Sequence, residues 1–160
     1  MTMDMIERTK WLAALTAIPS AELMLLTEEL SKGWEIKPMS VPQSGLGMLK
    51  LNDTAFAEPF YMGEFPVASA WLKITTPDGH TAEGAAQVMD DRIEVAEAHA
   101  LCDAILSGHL PGHDRVLTMV EKGLAIREET RLERKRILAH TQVDFSLLDD
   151  VGDEKGVPNA

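Results

Sequence analysis

VASAWLKITTPDGHTAEGAAQVM, residues Val67 to Met89, decides the fold class. In its first half Ala68, Ala70, Leu72 and Ile74 alternate with Val67, Ser69, Trp71, Lys73 and Thr75, so an extended chain there has one apolar face and one mixed face. Thr76-Pro77-Asp78-Gly79 supplies the turn, with proline pre-set for the first corner and glycine free to take positive φ. A second strand returns from about Thr81 to Met89. The two form an antiparallel hairpin, which favours an antiparallel sheet over a doubly wound parallel one.

Downstream, Asp91 with Glu94 three residues later reads as a capping box. Ile93, Ala96, Ala100, Leu101, Ala104 and Ile105 then recur at helical spacing, and the alanines let this helix lie close to a sheet. Gly108 and Pro111-Gly112 end it. A long last helix is expected from an Asp114 cap towards His140, with Val116, Leu117, Val120 and Leu124 on its apolar side. Upstream, two amphipathic helices carry Trp11, Leu12 and Leu15, then, after Pro19-Ser20, Leu23, Leu26 and Leu30, ending at Gly33. Between Gly33 and the hairpin, WEIK and LGMLKL are short strand candidates separated by Pro38, Pro42 and Ser44-Gly45, and Pro66 is expected to interrupt a third around Phe60 to Phe65. The fold class is therefore α+β: an antiparallel β-sheet with a central hairpin, packed against N-terminal helices and a long C-terminal helix. One domain is expected over residues 1–148, with an acidic flexible tail over 149–160.

Composition narrows the function classes. The chain of 160 residues carries 26 acids against 15 bases, a net charge of -11. Phosphate backbones are held by clustered Lys and Arg, so nucleic acid is not an expected partner. The second N-terminal helix, with Glu22, Glu28 and Glu29, is the wrong sign for a DNA-reading helix. No apolar run approaches a membrane span and the N-terminus lacks the pattern of a signal peptide, so a cytoplasmic location and no membrane partner are expected. The single cysteine, Cys102, fits a reducing compartment; among Ala and Leu it reads as core filler rather than a reactive thiol.

Residues able to carry chemistry are scattered. His109 and His113 are four apart, as in helical zinc sites, but Pro111-Gly112 lies between them, and no metal site is expected. Glu64, Glu83 and Glu97 are candidate acid–base carboxylates that nothing in the sequence brings together. Gly45-Leu46-Gly47 lacks the rest of any nucleotide fingerprint, so no cofactor is expected in this chain. Against the acidic background, Arg127 to Arg136 holds five bases and three acids. Arg127, Arg131 and Arg134 fall on one helix face, either as a docking stripe for an acidic partner or anionic substrate, or as a solvated face tied by pairs such as Glu128 to Arg131.

RTKWLAAL, SGLGML, PFYMGEFPV, the DGHTAEG hairpin, DRIEVAEAHALCDAIL and TQVDFSLLD, in that order from about Arg8 to Asp149, together resemble the G subunit of carbon-phosphorus lyase, the PhnG family. The chain departs from the family pattern at Ala68-Ser69, where relatives have Thr-Arg, and at Met89-Asp90-Asp91, where they have Gly-Arg-Asp. The resemblance implies an accessory subunit that works with the I, H, J and L proteins (PhnI, PhnH, PhnJ-like and PhnL-like). With the I, H and L proteins it is implied to take part in displacing adenine from ATP with methylphosphonate, giving ribose 1-methylphosphonate 5-triphosphate, before the J subunit cleaves the carbon-phosphorus bond; ATP is thus a substrate of the transferase complex. No catalytic residue is implied for this chain. Exposed apolar surface is then expected, and Phe60, Tyr61, Met62 and Phe65 are the candidate subunit contact, since aromatic and Met residues anchor interfaces. The competing expectation is that these four fill the sheet's own core. Two other classes stay open: a standalone ligand-binding or regulatory module, and a small standalone enzyme with a cleft holding Glu64, His80 or His113.

Overall fold

The computed structural model of the chain describes residues 6–140. In chain order these form α1 (Arg8–Leu15), α2 (Ser20–Leu30), β1 (Glu35–Pro38), β2 (Gln43–Asn52), β3 (Pro59–Thr75), β4 (Thr81–Val88), α3 (Ile93–Ser107) and α4 (His113–His140). All strand pairings are antiparallel, so the α+β class with a central hairpin and a long last helix holds. The TQVDFSLLD block and the expected acidic tail lie outside the described residues. The chain divides into two compact units, Met1–Arg127 and Glu128–Ala160. Within the second, the described residues are the remainder of α4, and all of them are exposed.

The sheet of the first unit is organised by β3, which is 17 residues long. On one edge β4 pairs with Ala68 to Thr75; on the other, β1 pairs with Leu72 to Thr75 and β2 with Pro59 to Ser69. β1 and β2 therefore lie end to end along a single edge, and the Met39 N–H donates to the Trp71 carbonyl where they meet. The Thr76 turn closes as its sequence dictates. Gly79 takes φ +83° and donates to the Thr76 carbonyl at 2.9 Å, while the His80 N–H donates to the Thr76 hydroxyl at 3.1 Å.

Two expectations about the strands need correction. Pro66 does not interrupt a strand: β3 runs through it, opposite Leu46. Ser44-Gly45 is not a separator either, because β2 begins at Gln43. The reason is shared. β4 ends opposite Ala68, so residues 59–67 of β3 are paired on one side only, and a proline's missing N–H is tolerated at such an edge.

Ala68, Ala70, Leu72 and Ile74 are buried as the alternation requires. α3 covers them and presents Ala96, Ala100 and Ala104, all fully buried. The approach is closer than alanine alone would give, because β4 contributes Gly84. A Cβ at that position would fall on the Ala100 carbonyl oxygen and the Ala104 amide. On the far side of α3 the core continues through Leu15, Leu23, Leu26, Val116 and Val120, with Gly123 of α4 lying against the Ala14 carbonyl of α1. The N-terminal helices thus pack chiefly on α3, with Leu12 and Met24 reaching the sheet-side cluster.

Polar ties fix the layers. The Arg8 guanidinium donates twice to the Asp103 carboxylate, at 2.9 and 2.6 Å, and the Ala85 N–H donates to the same carboxylate at 3.1 Å, joining α1, α3 and β4. The start of α3 differs from the expected capping box. Arg92 is the N-cap and no side chain caps the helix there; Asp90 instead accepts from the Arg92 amide and guanidinium, and that guanidinium also reaches the Ser20 hydroxyl of α2. α4 begins one residue before the expected cap, with Asp114 in its first turn.

Replacing Gly84 by alanine should lower stability by about 1–3 kcal/mol, since α3 must lift off β4 to admit one methyl group. Gly45→Ala, with nothing within 4 Å of the new Cβ, is the control and should leave the urea midpoint nearly unchanged. Comparative urea denaturation of the two variants checks the close approach directly.

Candidate functional site

Beyond the end of β4, β2 and the first half of β3 continue as a two-stranded ribbon, and the apolar residues quoted for the family resemblance lie there. Phe60, Tyr61 and Met62 are exposed, Met62 at 67%, while Phe65 is partly buried. The expectation that these side chains fill the sheet's own core is overturned for the first three. The helix layer covers β3 only from Ala68 onward; before that residue no described element lies over them. Phe65 is the exception for a local reason. Its ring lies across Gly47, where a Cβ would stand 2.8 Å from the ring, so Gly47 is a seat for an aromatic side chain.

The ribbon has two faces, which the register separates. Directly opposed residues share a face. Ser44 opposes buried Ala68, so Leu46, Met48 and Lys50 of β2 follow on the same side as the helix layer, with Tyr61 opposite Lys50. Gly45, Gly47, Leu49 and Leu51 lie on the other side, with Val67, Phe65 and Phe60. The pairing shifts by one residue between Met48 and Lys50, where β3 carries the extra residue and Gly63 takes φ +83°. That bulge brings Tyr61 to the same side as Glu64 although the two are three residues apart, and Phe60 follows on the opposite side. Leu46, Met48, Leu49 and Phe56 are further exposed apolar residues that the sequence reading did not single out. For the first three the signal was the run Leu46-Gly47-Met48-Leu49, which does not alternate as a strand with one buried face would.

The other candidates are less organised. Arg127, Arg131 and Arg134 are all exposed, and Arg131 is held by Glu128 through two bonds of 2.8 and 2.7 Å, the pair expected of a solvated helix face. Glu128 is accordingly held below the usual carboxylate range by the Arg131 hydrogen bonds. Glu64 stands opposite Met48 on the ribbon, Glu83 opposite Lys73 in the hairpin, and Glu97 on α3, where burial followed by repulsion from Glu94 raises its pKa. Among the described residues no three His, Cys, Asp or Glu side chains converge as a metal site.

His109 and His113 do come together, with ring centroids 4.7 Å apart, although no helix joins them. His109 occupies the left-handed position after the α3 terminus at φ +48°, a conformation that favours glycine; Gly108 is reserved because a Cβ there would press on Ala82. The two imidazoles line a cleft of about 590 Å³ with Trp11, Ser107 and Asp114, and Glu64 and His80 are not in its wall. His113 pairs with Asp114 at 3.2 Å, while the Ser107 hydroxyl donates to the Glu83 and Ala104 carbonyls at 3.4 Å, so the three do not form a nucleophile triad.

Two buried groups on α3 are structural. Cys102 is fully buried, and burial, reinforced by Asp103, pushes its thiol up to about 12. His99 is 3% exposed, with Nδ1 at 2.7 Å from the Val95 carbonyl and, among the described residues, no hydrogen-bond partner for Nε2. Burial lowers its pKa, opposed by the Val95 and Leu15 carbonyls and by Asp90. Asp90 accepts from the Arg92 guanidinium, which fixes that side chain in the loop before α3.

A maleimide reagent should leave Cys102 unmodified in the native protein and label it once in denaturant; native labelling would show an accessible thiolate. For His99 the folded pKa lies below the unfolded one. The unfolded chain therefore takes up the proton first as pH falls through about 6.5, and stability present above that value is lost below it. Between about pH 7.5 and 5.5, His99→Leu should lose less stability in urea titrations than the wild type does.

Among the described residues no helix is long and apolar enough to cross a membrane. No curated protein matches the chain. The sequence profile of the family described as phosphonate metabolism protein PhnG matches residues 6–149. The match includes both strands of the ribbon, the hairpin, α3 and α4, and with it the chain belongs to the PhnG family of phosphonate metabolism proteins.

Proposed function

We propose that this chain is an accessory, non-catalytic subunit of the carbon-phosphorus lyase core complex, and that the ribbon around Phe60, Tyr61, Met62 and Phe65 is its subunit contact. The observation that carries the reading is the exposure of aromatic and Met side chains on a strand pair that its own helices do not cover. Apolar side chains grouped in this way mark interaction sites on soluble domains. The family assignment supplies the setting, phosphonate metabolism. Scattered Glu64, Glu83 and Glu97, an inert Cys102 and a His99 engaged with its own helix support a role without chemistry.

In this reading the partners are the I, H, J-like and L-like subunits, with no nucleic acid, and the complex acts in the cytoplasm. The complex takes ATP and methylphosphonate to ribose 1-methylphosphonate 5-triphosphate and adenine, and this chain supplies no cofactor of its own. Arg127 and Arg134, exposed on α4, are a secondary contact for acidic groups of a partner, and Arg131 joins them when it releases Glu128.

Co-expression with the I subunit of the same genome, followed by size-exclusion chromatography with light scattering, tests the reading. A co-eluting complex is expected, and Tyr61→Ala should weaken it about tenfold or more, the cost typical of an aromatic anchor. A monomer that ignores the I, H, J-like and L-like subunits sinks the proposal.

A further inference from the structure

Resting on the subunit reading above, we infer that the ribbon is an arm gripped on both of its faces by an apolar cleft of a different protein chain, with basic groups at the rim of that cleft. Three observations carry this. First, exposed apolar side chains stand on both sides: Leu46, Met48 and Tyr61 towards the helix layer, Leu49 and Phe60 away from it. A flat partner surface can cover one face of a two-stranded ribbon and leaves the other in water. A second copy of this chain stacking its ribbon on the first has the same defect, so the occupant is a chain that provides two walls.

Second, the tip is ordered without a partner. The Asp53 N–H donates to the Glu58 carbonyl at 2.9 Å, and the Asp53 carboxylate accepts from the Ala55 and Phe56 amides at 3.2 and 3.0 Å. Ala57 closes the turn at φ +55°, and Phe56 projects from it 81% exposed. A tip held in one conformation by its own backbone loses little entropy on insertion, which suits an arm that enters a preformed cleft. Third, the arm is acidic: between Gln43 and Val67 it carries Asp53, Glu58 and Glu64 against Lys50 alone. Carboxylates that ring an apolar arm select a rim of Lys and Arg and disfavour an acidic one.

The test uses the full chain with the subunit that co-purifies with it. Two double variants divide the faces: Leu46→Ser with Met48→Ser on one, Leu49→Ser with Phe60→Ser on the other. All four residues lie outside the buried core, and unchanged thermal unfolding confirms that each variant is folded. Both variants should weaken the complex at least tenfold by biolayer interferometry, and Glu58→Lys with Glu64→Lys should weaken it and reduce its sensitivity to salt. If either face variant binds like the wild type, the contact is one-sided and the two-walled grip is overturned while the subunit reading stands. Binding unaffected by charge reversal overturns the basic rim. Self-association of the wild-type chain, abolished by the same variants, replaces the foreign cleft with a second copy. If the wild type binds no lyase subunit, the subunit reading falls and the inference falls with it.

Discussion

Everything in the first unit follows from how closely α3 can approach β4. With no side chain at Gly84 and only methyl groups at Ala100 and Ala104, helix backbone rests almost on strand backbone. At that separation the apolar row Ala68, Ala70, Leu72, Ile74 is sealed by small residues, and dense packing replaces bulky side chains as the source of cohesion. Asp103 then ties α1 to α3 and β4 through one carboxylate that accepts from both Arg8 and Ala85. Apart from Leu72 and Ile74 of the sheet, large core side chains come from the outer side of α3, where Leu15, Leu23, Val116 and Val120 of α1, α2 and α4 meet it.

The same constraint decides which part of β3 is left uncovered. A tightly seated α3 covers only the length of β3 that β4 also pairs, from Ala68 to Thr75. β3 is twice that long, and its other half, with β2, leaves the covered region carrying aromatic and aliphatic side chains into solvent. The buried core and the exposed apolar side chains thereby fall on different parts of one strand. Phe60, Tyr61 and Met62 sit outside the core, so substitutions there leave the packing around Gly84 undisturbed.

Much of this was legible residue by residue. The alternation from Val67 to Thr75, the Thr76 to Gly79 turn and the alanine periodicity of α3 each describe neighbours in sequence, and each is reproduced. The misreadings share a cause. Pro66 and Ser44-Gly45 read as breaks because proline and glycine usually end strands, yet a strand with one bare edge admits both. Asp91 looked like a cap because of its spacing to Glu94, but the helix starts only after Arg92, and Asp90 accepts from Arg92 without capping it. His109 and His113 were discounted because no helix could join them, and a left-handed residue at the end of α3 brought them together instead.

By itself the sequence determined the α+β class, the hairpin, the helices and the family, because strand alternation, turn chemistry and helical periodicity are local properties and family blocks are read in order. Only the tertiary structure decided that Gly84 is the point of closest approach, that Gly47 seats Phe65, and that Phe60, Tyr61 and Met62 lie outside the core. A buried aromatic and a docking aromatic are the same residue type with the same local pattern. What separates them is whether another element arrives over them, and that depends on where β4 stops along β3, a contact between residues far apart in the chain.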